Sequence, residues 1–126
     1  MNPTNDYYDS LQAEDRTPIK QKIRDFFRWH IGKEKAVNLP DVVVGVMGKD
    51  TSSNRRRVRM AMDEAVDEGA LIGSNSSDGY WWLGNWREAE EAAGELKSRA
   101  GKLQSRAKSI EVNAAREFGG QKGMFE

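Results

Sequence analysis

The densest run of reactive side chains lies between residues 51 and 62. Thr51, Ser52 and Ser53 supply hydroxyls, Asn54 an amide, and Arg55, Arg56, Arg57 and Arg59 follow with no acid in the stretch. A guanidinium forks onto phosphate oxygens or guanine O6/N7, an asparagine amide fits adenine, and hydroxyls bond phosphate oxygens. Directly behind come Asp63, Glu64, Asp67 and Glu68. Arg59 and Asp63 also have the spacing of an i,i+4 ion pair, worth about 0.2–0.5 kcal/mol. The block therefore reads either as a phosphate-facing turn or as a helix that neutralises itself.

Residue types for other chemistry are scarce. The chain has no cysteine and one histidine, which excludes disulfides, thiol nucleophiles and thiolate metal sites. His30 sits on an apolar helical stripe and reads as a core or boundary residue. The four acids at 63–68 make a poor cation site, and neither a GxSxG elbow nor a phosphate-binding glycine loop occurs. No catalysis, metal or cofactor is expected.

The elements that must position these residues have to fit in 126 residues, of which 32% are charged, with a mean hydropathy of −0.81. That suits one small domain with an appendage and a thin core. Lys+Arg and Asp+Glu number 20 each, for a net charge of zero. Neutrality here is an average over blocks: basic at 19–36 and 51–62, acidic at 1–18 and 63–68. No run of 18 apolar residues and no signal-peptide core occurs, so a cytoplasmic protein without a membrane partner is expected.

Residues 1–16 lack periodicity and are expected to form a flexible N-terminal arm. Thr17-Pro18 has the form of a helix start, with Thr17 as N-cap. Ile19, Ile23, Phe26, Phe27 and His30 share one face of that helix, which Gly32 ends. Lys20, Arg24 and Arg28 form a basic stripe, either an ordinary solvated face or an extension of the 51–62 surface. Ala36-Val37 fits a very short strand. Asn38 caps a second helix from Leu39-Pro40 to Met47, closed by Gly48. A third helix is predicted from Asn54 to Glu68, with Val58, Ala61, Met62, Ala65 and Val66 inward. Residues 70–73 and 79–83 form a hairpin around the turn formers 74–78. On the second strand Tyr80 and Trp82 alternate with Trp81 and Leu83; one pair must face the helices, and an exposed pair would suit base stacking. From Trp86 to Phe118 apolar residues recur at steps of four and three, predicting one long heptad-patterned helix. Residues 119–126 form a flexible tail.

Three helices, a tight turn between the second and third, then a hairpin is the order of a winged helix-turn-helix. The stretch from Asn54 to Gly73, followed by Gly79-Tyr80-Trp81-Trp82-Leu83, resembles winged-helix proteins. It is most similar to small phage and prophage winged-helix proteins with a long C-terminal helix. The fold class expected is thus mainly α with a small β-hairpin, over residues 17–85, with the long helix at 86–118. The resemblance implies that the third helix enters the major groove of double-stranded DNA. Ser52, Ser53, Asn54, Arg55, Arg56 and Arg59 would make the contacts, and Arg57 would turn toward a phosphate or an intramolecular acid. The turn 74–78 departs from the pattern: it holds Asp78 and no cation.

The heptad seam places Ala93, Ala100, Ala107 and Ala114 in one row and Ala89, Leu96, Leu103 and Ile110 in the other. An alanine row allows close helix approach. Glu88, Glu90, Glu91 and Glu95 precede Lys97, Arg99, Lys102, Arg106 and Lys108, so an antiparallel pair sets acid against base. The expectation is a homodimer that regulates transcription or replication in a bacterial cytoplasm or nucleoid, of phage or prophage type. The alternative is a protein–protein adaptor of replication or phage machinery, whose domain does not bind DNA.

Overall fold

The computed structural model describes residues 14–119, and the chain divides into two units, residues 1–89 and 90–126. Most of the expected arm and tail, 1–13 and 120–126, lies outside the described residues. The first unit holds α1 (Thr17–Phe27), α2 (Leu39–Met47), α3 (Ser52–Asp67), β1 (Ile72–Asn75) and β2 (Gly79–Trp82); α4 (Trp86–Phe118) begins in it and continues into the second.

In α1 the residues Ile19, Ile23 and Phe27 recur every fourth position and are buried. Pro18 occupies the first turn, where its missing N–H costs nothing. Thr17 is not the cap the sequence predicts. It is the first helical residue, and its N–H and hydroxyl both donate to Asp15 Oδ1, at 3.0 and 2.7 Å. The helix also ends at Phe27 rather than near Gly32. Trp29 and His30 bond back only three residues, and the His30 carbonyl accepts from the Trp82 N–H at 2.8 Å, so β2 captures the backbone that would have extended α1.

Asn38 caps α2 as expected, accepting from the Asp41 N–H at 3.0 Å. Its valines disfavour helix intrinsically, but Val42, Val43 and Val46 are buried, and packing outweighs propensity. Gly48 closes the helix at φ +83°, a left-handed conformation that glycine adopts without strain. α3 starts two residues before the sequence-based boundary because Thr51, whose hydroxyl accepts from the Asn54 N–H at 3.1 Å, is its cap. Val58, Ala61, Met62 and Ala65 face the core, whereas Val66 is exposed. The largest fully buried side chains are Phe27, Ile23, Val42, Val43 and Val58. Each contributes roughly 1.5–3 kcal/mol of apolar burial, and together they lock the three helices against one another.

β1 begins at Ile72, not at residue 70. The Ala70 N–H bonds back to the Ala65 carbonyl at 2.8 Å, so Gly69 and Ala70 still belong to the exit of α3. The antiparallel register pairs Ile72 with Trp82 and Asn75 with Gly79. Gly79 has φ +105°, and a Cβ there would collide with the Val37 carbonyl. That close approach exists because the connection from α1 to α2 lines the other edge of β2. Val37 and Tyr80 exchange two backbone hydrogen bonds at 2.8 Å, so the strand expected at Ala36–Val37 is a single bridge pair. Tyr80 and Trp82 pack on the helical core, while Trp81 is buried on the opposite face. The exposed tryptophans are Trp29 and Trp86, so β2 offers no open stacking platform.

α4 has the boundaries its spacing predicts. Asn85 Oδ1 accepts from the Glu88 N–H at 2.9 Å, and the Glu88 carboxylate accepts from the Gly84 and Lys33 N–H groups at 2.9 and 3.1 Å. These two backbone donors hold the Glu88 carboxyl below the usual range. The buried Trp81 indole N–H adds to that effect from nearby without meeting hydrogen-bond geometry. In the second unit Leu96, Leu103 and Ile110 are exposed along one row, and Glu95 pairs with Arg99 at 2.9 Å. Among the described residues no helix is long and apolar enough to cross a membrane.

Candidate functional site

The turn from α2 into α3 is braced by the residues that read as DNA-facing in the sequence. Arg55 forks onto Asp50, with Nε to Oδ1 and an Nη to Oδ2 both at 2.6 Å. That pair holds the Asp50 carboxyl below its ordinary value. Asn54 donates from Nδ2 to the Lys49 carbonyl at 2.9 Å and accepts from Arg57 Nη1 at 3.3 Å. Arg57 takes the intramolecular course: its Nε reaches Glu14 Oε2 at 3.0 Å. Asn54 and Arg55 are thus partly committed to shaping the turn.

What the turn presents outward is narrower than the sequence-based set. Ser52, Arg56 and Arg59 are exposed, and Ser53 is half-buried. Arg59 makes no hydrogen bond or ion pair among the described residues, so the Arg59–Asp63 pair does not form. Ser52 opens α3, whose N-terminus attracts anions, and Arg56 and Arg59 follow one and two turns along the same face. Arg56 and Arg59 with Ser52 therefore form a patch suited to phosphate oxygens.

The acidic end of α3 is occupied differently. Buried Arg16 donates from Nε to Glu64 Oε1 at 2.7 Å, with a second short contact from its Nη. Lys20 reaches Glu68 at 2.7 Å and Glu64 at 3.5 Å. The Arg16 hydrogen bond holds the Glu64 carboxyl low, and the Glu68 hydrogen bond raises the Lys20 ammonium. Asp63 remains exposed, its carboxyl raised by desolvation and then by the Asp67 charge.

The contacts Glu14–Arg57, Arg16–Glu64 and Lys20–Glu68 follow one another, so α1 advances toward the C-terminal end of α3. The basic stripe of α1 therefore does not join the Arg56–Arg59 patch. Arg28 pairs with Asp25 at 3.3 Å, and Arg24 lies 6.0 Å from the centre of the Trp82 ring. His30 stacks on Phe26 with ring centroids 4.6 Å apart, a boundary position. At the hairpin turn Asp78 accepts from Asn75 Nδ2 at 2.8 Å, and Lys33 Nζ approaches it to 4.0 Å. Sequence reasoning missed the Glu88 clamp, although Asn85 followed three residues later by Glu88 is a helix-start signal. It also missed the meeting of Arg24 with Trp82, which no local spacing announces.

No family model, no curated protein and no solved structure matches the chain.

Proposed function

We propose that the first unit is a winged helix-turn-helix module that inserts α3 in the major groove of double-stranded DNA. In this reading the protein pairs through α4 and acts in transcription or replication control of phage or prophage type. The observation that carries it is the first half of α3: Arg56 and Arg59 are exposed one and two turns along from Ser52, after a turn stiffened by the Arg55–Asp50 fork. Pairing of Glu64 and Glu68 with α1 supports it, because those acids are then partly cancelled where they would repel a duplex. The test is duplex binding by fluorescence anisotropy, wild type against Arg56→Ala/Arg59→Ala. Each lost contact costs about 1–3 kcal/mol, so affinity falls by at least about tenfold while the chain stays folded. Equal affinity in the two proteins removes this reading.

The α4 seam takes a second copy in antiparallel orientation. Its occupant follows from charge: Glu88, Glu90, Glu91 and Glu95 lie early on the helix, and Lys97, Arg99, Lys102, Arg106 and Lys108 lie later. Sedimentation of Leu96→Lys/Leu103→Lys beside the wild type tests this, with a dimer becoming a monomer. An unchanged oligomeric state would place the interface elsewhere. An adaptor that binds protein instead of DNA is favoured by one observation, the hairpin turn 76–78, which offers Asp78 and no cation. That reading stands if no salt-sensitive duplex binding occurs.

A further inference from the structure

No residue of α4 is buried, although an apolar seam runs along it. A helix so exposed is marginal in water, and Gly94 and Gly101 weaken it further. Trp86, its first residue, stands seven before Ala93 and so extends the alanine row of the seam by one heptad. It is 77% exposed, and Ile110, in the other row, is 56% exposed. Tryptophan is among the residue types that most often anchor an interface.

We propose that Trp86 anchors the antiparallel pair of α4 helices by packing on Ile110 of the partner subunit. This rests on the pairing proposed above and fixes its register. Reversing one helix sets the alanine row of one copy against the other row of its partner, so the possible registers differ by whole heptads. With Trp86 level with the partner's Ile110, Ala93 meets the partner's Leu103 and Leu96 meets the partner's Ala100. These two layers set a large side chain against a small one, which suits close packing. A shift of one heptad in one direction sets Trp86 against the partner's Glu117 and Glu90 against the partner's Glu111. A shift in the other direction carries Ile110 past the start of the partner helix and leaves it uncovered. Charge selects the same register. Glu88, Glu90, Glu91 and Glu95 lie level with a stretch of the partner helix that holds Lys102, Arg106 and Lys108 of the partner subunit and no acid. Near the two-fold axis Lys97 meets its own copy, an exposed pair of small cost, and Arg99 keeps Glu95 at 2.9 Å.

Sedimentation equilibrium of the full chain tests the anchor. Trp86→Ala raises the dimer dissociation constant at least about thirtyfold, as at an interface hot spot. Trp29→Ala removes an equally open tryptophan outside α4 and leaves that constant within about twofold. Disulfide trapping reads the register, since the sequence has no cysteine and each introduced thiol is the only one in its chain. Ala89→Cys mixed with Ala107→Cys gives a cross-linked pair. Either variant alone does not, because each thiol then lies about 27 Å along the axis from its own copy. This second measurement keeps the test open if Trp86→Ala folds poorly. In a wild type that dimerises, an unchanged constant for Trp86→Ala overturns the anchor. A disulfide in Ala89→Cys alone, or one between Ala89→Cys and Ala114→Cys, overturns the register. A monomeric wild type removes the pairing itself, and the anchor with it.

Discussion

At the C-terminal end of α3, Glu64 and Glu68 face Arg16 and Lys20 across a helix–helix contact. At the N-terminal end of the same helix, Arg56 and Arg59 face outward, and their neighbour Arg55 is turned back on Asp50. One end uses its charges to hold two helices together; the other keeps two of its arginines exposed. The difference comes from what packs alongside. α1 packs against α3 beside Glu64 and Glu68, whereas Arg56 and Arg59 lie on an exposed part of the helix. Charges of similar density on one helix thus carry different energetic meaning, and each change below shifts one end without the other.

The largest effect on stability belongs to the C-terminal end. Glu64→Ala removes the carboxylate from buried Arg16. The expected cost is about 1–2 kcal/mol, below that of breaking a fully buried pair because Glu64 is partly solvated. Thermal melting reads this as a drop of several degrees, and duplex affinity at 25 °C is unchanged. Equal losses of both would mean that the two ends are one cooperative unit.

Acid acts on the same contact with a defined sign. The Glu64 carboxyl titrates below its ordinary value of 4.5 in the folded chain. Its contribution to stability is therefore complete above the unfolded-state pKa and is lost as pH falls through the lower folded-state pKa. Glu64→Gln flattens that part of the pH–stability profile. A variant with the wild-type acid profile would show that Arg16 gains nothing from the charged form.

The smallest effect is expected three turns along α3 from Ser52, past the arginines. Asp63 is exposed, and its charge is disfavoured by desolvation and by Asp67. Asp63→Asn removes a like-signed neighbour of phosphate and raises duplex affinity two- to threefold, roughly the worth of one screened charge. Because the Asp63 carboxyl is raised, the wild type is penalised as pH climbs above the ordinary aspartate range, and the asparagine variant is not. Unchanged affinity would place the duplex entirely at the first turns of α3.

Much of this framework was legible from spacing. The Trp86–Phe118 helix follows from its heptad steps, and α2 follows from Asn38 and Gly48, because both depend on local periodicity and cap chemistry. The errors lie where one element acts on another. α1 stops at Phe27 because β2 takes the His30 carbonyl, and β1 starts late because Ala70 is still bonded to α3. For the candidate site, the position of the basic block was legible. The division of its arginines was less so, since Arg57 answers to Glu14, 43 residues away. Arg55 is the exception: Asp50 lies only five residues earlier, and an acid ahead of a helix start is a local signal.

The most direct test of the outward-facing end is the salt dependence of duplex binding, measured for the wild type and for Arg56→Ala/Arg59→Ala. Each neutralised phosphate contributes a slope of about −0.9 in log K against log salt. The wild type is expected to bind with a clear negative slope, and the folded double variant with a slope shallower by about two. Salt-insensitive binding, or identical slopes in the two proteins, would contradict the assignment of the start of α3 to DNA.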